Sequence, residues 1–228
     1  MKEIKHVFFD LDHTLWDFES NSNDSFKDIF ATHQVAVDFD LFMKAYTPIN
    51  NEYWKRYRED RVSKEDLRYG RLKDTFDALN YETSDALIDV LAEDYITTLP
   101  KYNKLFPGAI QVLEYLKSKD YALHMITNGF EEVQWKKCVS SGIDHFFTEF
   151  ITSEAVGVKK PNPKIFKFAL EKADAHADQS IMIGDNQEAD IQGALSMGMQ
   201  VVFCNFDSQI NKGNYKEIHH LEELKNIL

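Results

Sequence analysis

Ile4-Lys5-His6-Val7-Phe8-Phe9-Asp10-Leu11-Asp12-His13-Thr14 is the stretch that decides the fold. Its β-branched and aromatic run predicts a buried strand, and two aspartates stand at the strand's end. Further strands are predicted at Ala122-Leu123-His124-Met125-Ile126, Phe150-Ile151-Thr152, Ser180-Ile181-Met182-Ile183 and Gln200-Val201-Val202-Phe203. Helical patterns lie between them. Pro107-Gly108 leads into Val112, Leu113 and Leu116. Asn162-Pro163 is a helix start signal ahead of Ile165, Phe166, Phe168, Ala169 and Leu170. A third helix is predicted over about 187–197, stopping at Gly198. A last amphipathic segment places Leu221, Leu224 and Leu228 on one side. Strands alternating with helices predict an α/β fold: a Rossmann-like parallel sheet covered on both faces.

One spacing breaks the pattern. Asp12 and Thr127 are 115 positions apart, whereas a βαβ crossover needs only ~30 residues. The interval is helical by periodicity: Phe26, Ile29, Phe30 and His33 repeat at helical spacing, as do Leu87, Leu91 and Tyr95. Pro48 and the polar stretch 58–64 are expected to break one helix from the next. The organisation expected is a core of residues 1–16 and 104–228 with a helical insert at 17–103. An insert at the carboxyl end of a parallel strand sits where such sheets bind ligands.

Bulk composition excludes several classes. The 228 residues carry 17 Phe, 10 Tyr and 3 Trp, enough for a real core. The net charge of −12 repels phosphate backbones, so nucleic acid is not the expected partner. It also repels a phosphate ester, so any phosphate site must be built locally. Cys138 and Cys204 make no disulfide framework. No apolar run approaches the ~20 residues of a membrane span. Residues 1–7 are a charged lead without the apolar core of a signal peptide. These features together predict a cytoplasmic protein.

In a parallel sheet the strand ends share one edge. Asp10-Leu11-Asp12-His13-Thr14, Thr127-Asn128-Gly129 and Gly184-Asp185-Asn186 with Asp190 therefore converge there, with Lys160-Pro161 between them. Carboxylates held together raise one another's pKa unless a cation relieves them. A hard divalent ion with oxygen ligands does so, and magnesium is the natural choice. Beside it, one carboxylate can attack phosphorus to form an acyl phosphate. A second carboxylate two residues later can protonate the leaving alcohol and then activate water. Lysine, a threonine hydroxyl and backbone N–H groups can stabilise charge on the equatorial oxygens.

The set Asp10-x-Asp12-x-Thr14, Thr127-Asn128-Gly129, Lys160-Pro161 and Gly184-Asp185-x-x-x-x-Asp190 resembles the haloacid dehalogenase-like superfamily, in its order and over the whole chain. The resemblance implies a phosphatase whose nucleophile and magnesium ligand is Asp10. Asp12 is then the general acid/base, with its backbone carbonyl on the metal, and Asp185 is a direct ligand. Thr127 and Lys160 hold the phosphate and the charge on Asp10, helped by the backbone near Asn128. Thr14 and Asn186 stand behind these residues, and Asp190 acts through water or as a supporting partner. Lys159 is read as surface charge, because the pattern puts the functional lysine directly before proline. The insert matches the family's helical cap, which closes over substrate and excludes water. His13 stands where many members have glycine. The phrase Asp-Leu-Asp-His-Thr-Leu-Trp-Asp is similar to a pyrimidine 5′-nucleotidase subgroup, although His13 also fits a purely conformational role in the turn.

Each of these residues has a plainer reading as a strand end, helix cap or surface charge. For Asp190 the helix N-terminal reading stays open. Trp16 and Phe18 either stack on a base or pack inside the protein. The run Lys55-Arg56-Tyr57-Arg58 with Arg61 is read as a solvated helix face rather than a nucleotide contact. Cys138 and Cys204 are read as packing residues, and His219-His220 is assigned no metal. The expected function is magnesium-dependent hydrolysis of a phosphomonoester through an aspartyl phosphate, with a nucleoside monophosphate as substrate. Sugar-phosphate phosphatase and phosphomutase are the alternatives. Dehalogenation is disfavoured by the carboxylate of Asp12, and an inactive relative by the completeness of the motifs.

Overall fold

The computed structural model describes residues 3–211 and 213–228. The first two residues of the charged lead lie outside the described residues. Six strands form one sheet: β1 (His6–Phe9), β2 (Ala122–Thr127), β3 (Glu149–Thr152), β4 (Ser180–Gly184), β5 (Gln200–Cys204) and β6 (Lys216–Ile218). Their spatial order is β3-β2-β1-β4-β5-β6, and every neighbouring pair is parallel. The expectation of a parallel α/β sheet is met. Only β6 was not foreseen, because Lys216-Glu217-Ile218 is a short charged edge strand that buries Ile218 alone.

The chain runs outward from β1 through β2 to β3, then resumes on the other side of β1 with β4. The direction reverses beside β1. Such a switch point leaves a crevice outside the strand ends, where ligands bind. Phe9 pairs with Met125 on one side and Ile183 on the other. The Asp10 N–H donates to Ile183 O at 2.9 Å, so the ladder delivers Asp10 to the carboxyl edge. Behind it Val7, Phe8 and Phe9 are fully buried. Phe8 packs in a core with Ile126, Met182, Phe166 and Phe203, which explains why the strands read as unbroken apolar runs.

The chain divides into two compact units, Ser20–Tyr102 and Met1–Glu19 with Asn103–Leu228. The helical unit is built from α1 (Phe18–Thr32), α2 (Phe39–Arg58), α3 (Lys64–Ala78) and α4 (Asp85–Thr98). Aromatic rings hold it together. Phe26 stacks on Tyr95 at 4.4 Å and meets Tyr46 edge-on at 4.8 Å, and Phe30 meets Phe42 edge-on at 4.7 Å.

Pro48 corrects one expectation: it lies inside α2 instead of ending a helix. An interior proline forfeits a backbone hydrogen bond and costs ~3 kcal/mol. Buried Phe42 and Tyr46 before it and Asn50 and Tyr57 after it anchor both halves of α2, and that packing outweighs the loss. The break at 58–64 is real, because α2 stops at Arg58 and Ser63 caps α3 through a reciprocal box with Asp66.

The sheet unit carries α5 (Ala109–Ser118), α6 (Glu131–Ser140), α7 (Ser153–Val156) and α8 (Pro163–Lys172). The Asn162 side chain caps α8 by accepting from Lys164 N at 3.0 Å. The single helix expected over 187–197 is instead a π-helix, Gln187–Gln192, followed by a turn of α-helix, α9 (Gly193–Ser196). Asn186 O accepts from both Asp190 N and Ile191 N, and the second bond is the i→i+5 contact of a π turn. Gly198 closes the segment at φ +78°. Leu221 and Leu224 lie buried in a 3₁₀ turn, whereas Leu228 is only half-buried. Among the described residues no helix is long and apolar enough to cross a membrane.

Candidate active site

Segments following β1, β2, β3 and β4 supply the residues at the carboxyl edge of the sheet. The turn leaving β1 is held by His13 N donating to Trp16 O at 3.0 Å and Leu15 N to Leu11 O at 2.9 Å. His13 adopts φ +61°, a left-handed conformation that glycine enters most easily and that histidine tolerates better than bulky residues. The conformational reading of His13 therefore has a direct observation behind it.

Lys160 organises the centre. It is 2% exposed, and its ammonium donates to Asp10 Oδ1 at 2.6 Å, Asp190 Oδ1 at 2.6 Å and Ile126 O at 2.7 Å. All three protons of the ammonium are used. Asn128 fixes the backbone of Lys160 from both sides: Lys160 N donates to Asn128 Oδ1 at 2.8 Å, and Asn128 Nδ2 donates to Lys160 O at 2.9 Å. The Asn128 side chain thus serves the lysine. Lys159, next to it, is half-buried rather than fully exposed.

Carboxylate oxygens of Asp10, Asp185 and Asp190 lie within 4.8 Å of one another. Burial, with repulsion from Asp190 and Asp185, raises the Asp10 pKa well above the usual carboxylate range, against the pull of Lys160. Burial and then Asp190 push Asp185 up to about 8. Burial opposes the charge on Lys160, but Asp10 and Asp190 overcome it and hold its pKa above the ordinary lysine value. Three carboxylates facing one ammonium leave two negative charges uncompensated. An all-oxygen set with that deficit fits one hard divalent cation.

Asp12 is turned elsewhere. Its Oδ1 accepts from Lys137 Nζ at 2.6 Å and its Oδ2 from Gln134 Nε2 at 2.9 Å. The carboxylate trio is therefore Asp10, Asp185 and Asp190, with the Asp12 side chain outside it. Lys137 is 1% exposed, and its ammonium lies 4.2 Å from the Trp16 ring centre and 5.2 Å from that of Phe18. Burial lowers the Lys137 pKa, and Asp12 pulls it back up. Trp16 is fully buried and Phe18 nearly so. Their base-stacking reading gives way to packing around this lysine. Sequence reasoning noted Cys138 in α6 as a packing residue and passed over Gln134 and Lys137. A signal was there: Gln134 and Lys137 share the inward helix face of Val133 and Cys138, where polar residues need a reason.

Thr127 is linked to the same helix. Gly129 N donates to Thr127 Oγ1 at 3.1 Å, and Thr127 Oγ1 donates to Gln134 Oε1 at 3.1 Å. Gly129 makes room for this, since a Cβ there would run into the Gln134 amide. Thr14 is fully buried and its hydroxyl has no hydrogen-bond partner. Asn186 caps the π-helix, accepting from Glu188 N at 3.1 Å and Ala189 N at 2.9 Å, and its own N–H donates to Asp190 Oδ2 at 3.0 Å.

Arg56 pairs with Glu52 at 2.9 Å along an exposed face of α2, and Arg61 pairs with Glu59. Cys138 and Cys204 are free and buried. His219 Nδ1 lies 2.8 Å from Asn205 O, and His220 takes part in a capping box.

The haloacid dehalogenase-like hydrolase profile matches residues 4–198, so the chain belongs to that hydrolase family. It is 31% identical to the pyrimidine 5′-nucleotidase YjjG of Escherichia coli (strain K12), over 87% of this chain and 85% of that protein. It is 30% identical to the glyceraldehyde 3-phosphate phosphatase of Methanothermobacter thermautotrophicus, over 99% and 100%. The crystal structure of the HAD-hydrolase YfnB from Bacillus subtilis, bound to magnesium, superposes with a TM-score of 0.89 at 27% identity and covers 99% of each chain.

Proposed function

We propose that the chain is a magnesium-dependent phosphomonoester hydrolase working through a phosphorylated Asp10. The observation that carries this reading is the buried knot in which Lys160 joins Asp10 to Asp190 beside Asp185. It supports the reading because the Asp10 carboxylate at the end of β1 has a fixed ammonium against it, and the surplus of negative charge would suit one divalent ion.

Asp10, Asp185 and the backbone carbonyl of Asp12 would hold magnesium, with Asp190 supporting from behind. When bound, the ion offsets phosphoryl charge. Asp10 forms the O–P bond as the ester P–O bond breaks, and Asp12 gives its proton to the departing alkoxide. Asp12 then takes a proton from water as the water oxygen displaces Asp10 and releases phosphate. Lys160 and backbone N–H groups near Asn128 stabilise the equatorial oxygens, while Thr127 holds the loop that presents them through its bonds to Gly129 N and Gln134 Oε1. The helical unit is assigned the cap role and, with it, the choice of substrate.

A nucleoside monophosphate is the preferred substrate class. Its support is the sequence around Asp10 together with two relatives named as pyrimidine 5′-nucleotidases, YjjG at 31% identity and PynA of Streptococcus pneumoniae at 29%. A small sugar phosphate is the second reading, favoured by the glyceraldehyde 3-phosphate phosphatases at 29–35% identity. The test is phosphate release from uridine 5′-monophosphate, ribose 5-phosphate and glyceraldehyde 3-phosphate, with magnesium or chelator, for wild type and Asp10→Asn. Release that requires magnesium and disappears in the variant is expected. Release that survives the variant overturns the nucleophile assignment, and the fastest ester decides between the two substrate readings.

A further inference from the structure

We infer that Lys137 and Gln134 are positioning residues for Asp12, fixing the carboxylate that moves the proton in both halves of the reaction. This rests on the phosphatase reading above and deepens it.

The geometry is a two-point clamp. Lys137 Nζ takes Oδ1 of Asp12 at 2.6 Å and Gln134 Nε2 takes Oδ2 at 2.9 Å, so both oxygens are held and the side chain has one orientation. A carboxylate offers about four lone-pair sites, so two remain for a leaving oxygen or a water. Both clamp residues sit on one helix, three positions apart, and are 1–2% exposed.

The clamp is itself aligned. Gly129 N donates to Thr127 Oγ1, so the single hydroxyl proton of Thr127 is free to go to Gln134 Oε1. An amide whose oxygen accepts there must turn its NH₂ group toward Asp12. Lys137 is steered from the other side. Its stem is buried and its ammonium lies over the faces of Trp16 and Phe18, and among the described residues the carboxylate it pairs with is Asp12. A buried cation is costly without such a partner, which is a reason to keep it only if its effect on Asp12 is used. Placing a proton-transfer group correctly is a large part of its catalytic worth.

The test separates proton transfer from everything else. Lys137→Met keeps the stem on the two rings and removes the donor. Gln134→Met removes the second donor at similar size and covers the case in which the first variant does not fold. Each is compared with wild type on the fastest alkyl ester of the panel above and on p-nitrophenyl phosphate, whose leaving group departs without a proton. With the alkyl ester, kcat should fall about 100-fold with KM little changed. With p-nitrophenyl phosphate the first turnover should stay near the wild-type rate. A nitrophenol burst should then appear, because hydrolysis of the phosphorylated enzyme still needs Asp12. Equal losses of the first-turnover rate on both esters, a loss confined to KM, or wild-type kinetics in a folded variant would overturn the assignment while leaving the phosphatase reading intact. A wild-type protein that releases no phosphate from any ester overturns both.

Discussion

Gly184 and Asp190 fit into one another: the place a Cβ would take on Gly184 is filled by the Asp190 carboxylate. The π turn carries Asp190 back over the end of β4, where Oδ2 accepts from Asn186 N and Oδ1 from Lys160. The glycine is needed for close approach, not for its dihedral freedom. Gly184→Ala is therefore expected to push Asp190 off Lys160. Overpacking of this kind costs about 1–3 kcal/mol. Urea unfolding should show that loss, and the divalent-ion response of the melting temperature should shrink with it. An alanine variant as stable and as metal-responsive as wild type would remove Asp190 from the centre's design.

Asp185 supplies a test of the charge deficit. Its folded pKa of about 8 lies above the ordinary carboxylate value. A raised pKa means the folded state holds the proton more tightly. Its contribution to stability is therefore full below about pH 4 and is lost as pH rises through about 8. In chelator, Asp185→Asn should melt higher than wild type at pH 8 and lose that advantage toward pH 5. Magnesium should raise the melting temperature of wild type and leave the variant nearly unmoved. Identical melting of the two proteins in chelator at pH 8 would refute the deficit.

Asn128 shows how a motif residue can act one step removed from chemistry. Its amide closes two hydrogen bonds on the backbone of Lys160, 32 positions away in sequence. Asn128→Ala strands a buried N–H and C=O, each costing about 1–3 kcal/mol. The expected outcome is a lower melting temperature and a fall in kcat larger than any rise in KM, read from steady-state kinetics. A change in KM alone would assign the side chain to substrate binding instead.

The sheet was legible because its strands are buried on both faces. A run such as Val7-Phe8-Phe9 carries that burial in its own letters, and the residues at its end then locate the site. What escaped notice depended on partners distant in sequence. Pro48 looked like a helix break because a local signal cannot show that Tyr46 packs with Tyr95 against Phe26 and braces the helix. The π turn at 187–192 exists to bring Asp190 to Lys160, a contact no periodicity encodes. Asp12 was singled out by its spacing from Asp10, and the proton-carrier role is the one proposed for it. Its grip by Lys137, 125 positions later, was not legible, since a lysine on a helix reads as surface charge until its face is known to be buried.

His124 gives a prediction far from the carboxyl edge. It lies in β2, 1% exposed, stacked on Phe8 at 4.6 Å, with Nε2 3.2 Å from His6 Nδ1. Its other nitrogen, Nδ1, is buried without a partner. An unpaired acceptor is cheaper to bury than an unpaired donor, so the neutral ring with its proton on Nε2, donated to His6, fits best. Burial lowers the His124 pKa to about 4, and the neighbouring His6 adds to the effect. A depressed histidine pKa contributes stability that is present above the unfolded value of about 6.5 and is lost as pH falls toward 4. The full drop corresponds to about 3 kcal/mol. His124→Phe keeps the stack on Phe8 and removes the titration. Urea unfolding at pH 7.5, 6 and 5 should show wild type losing stability over that range more steeply than the variant. Parallel pH profiles for the two proteins would mean that His124 has the same pKa folded and unfolded, and the assignment of a buried neutral ring would fall.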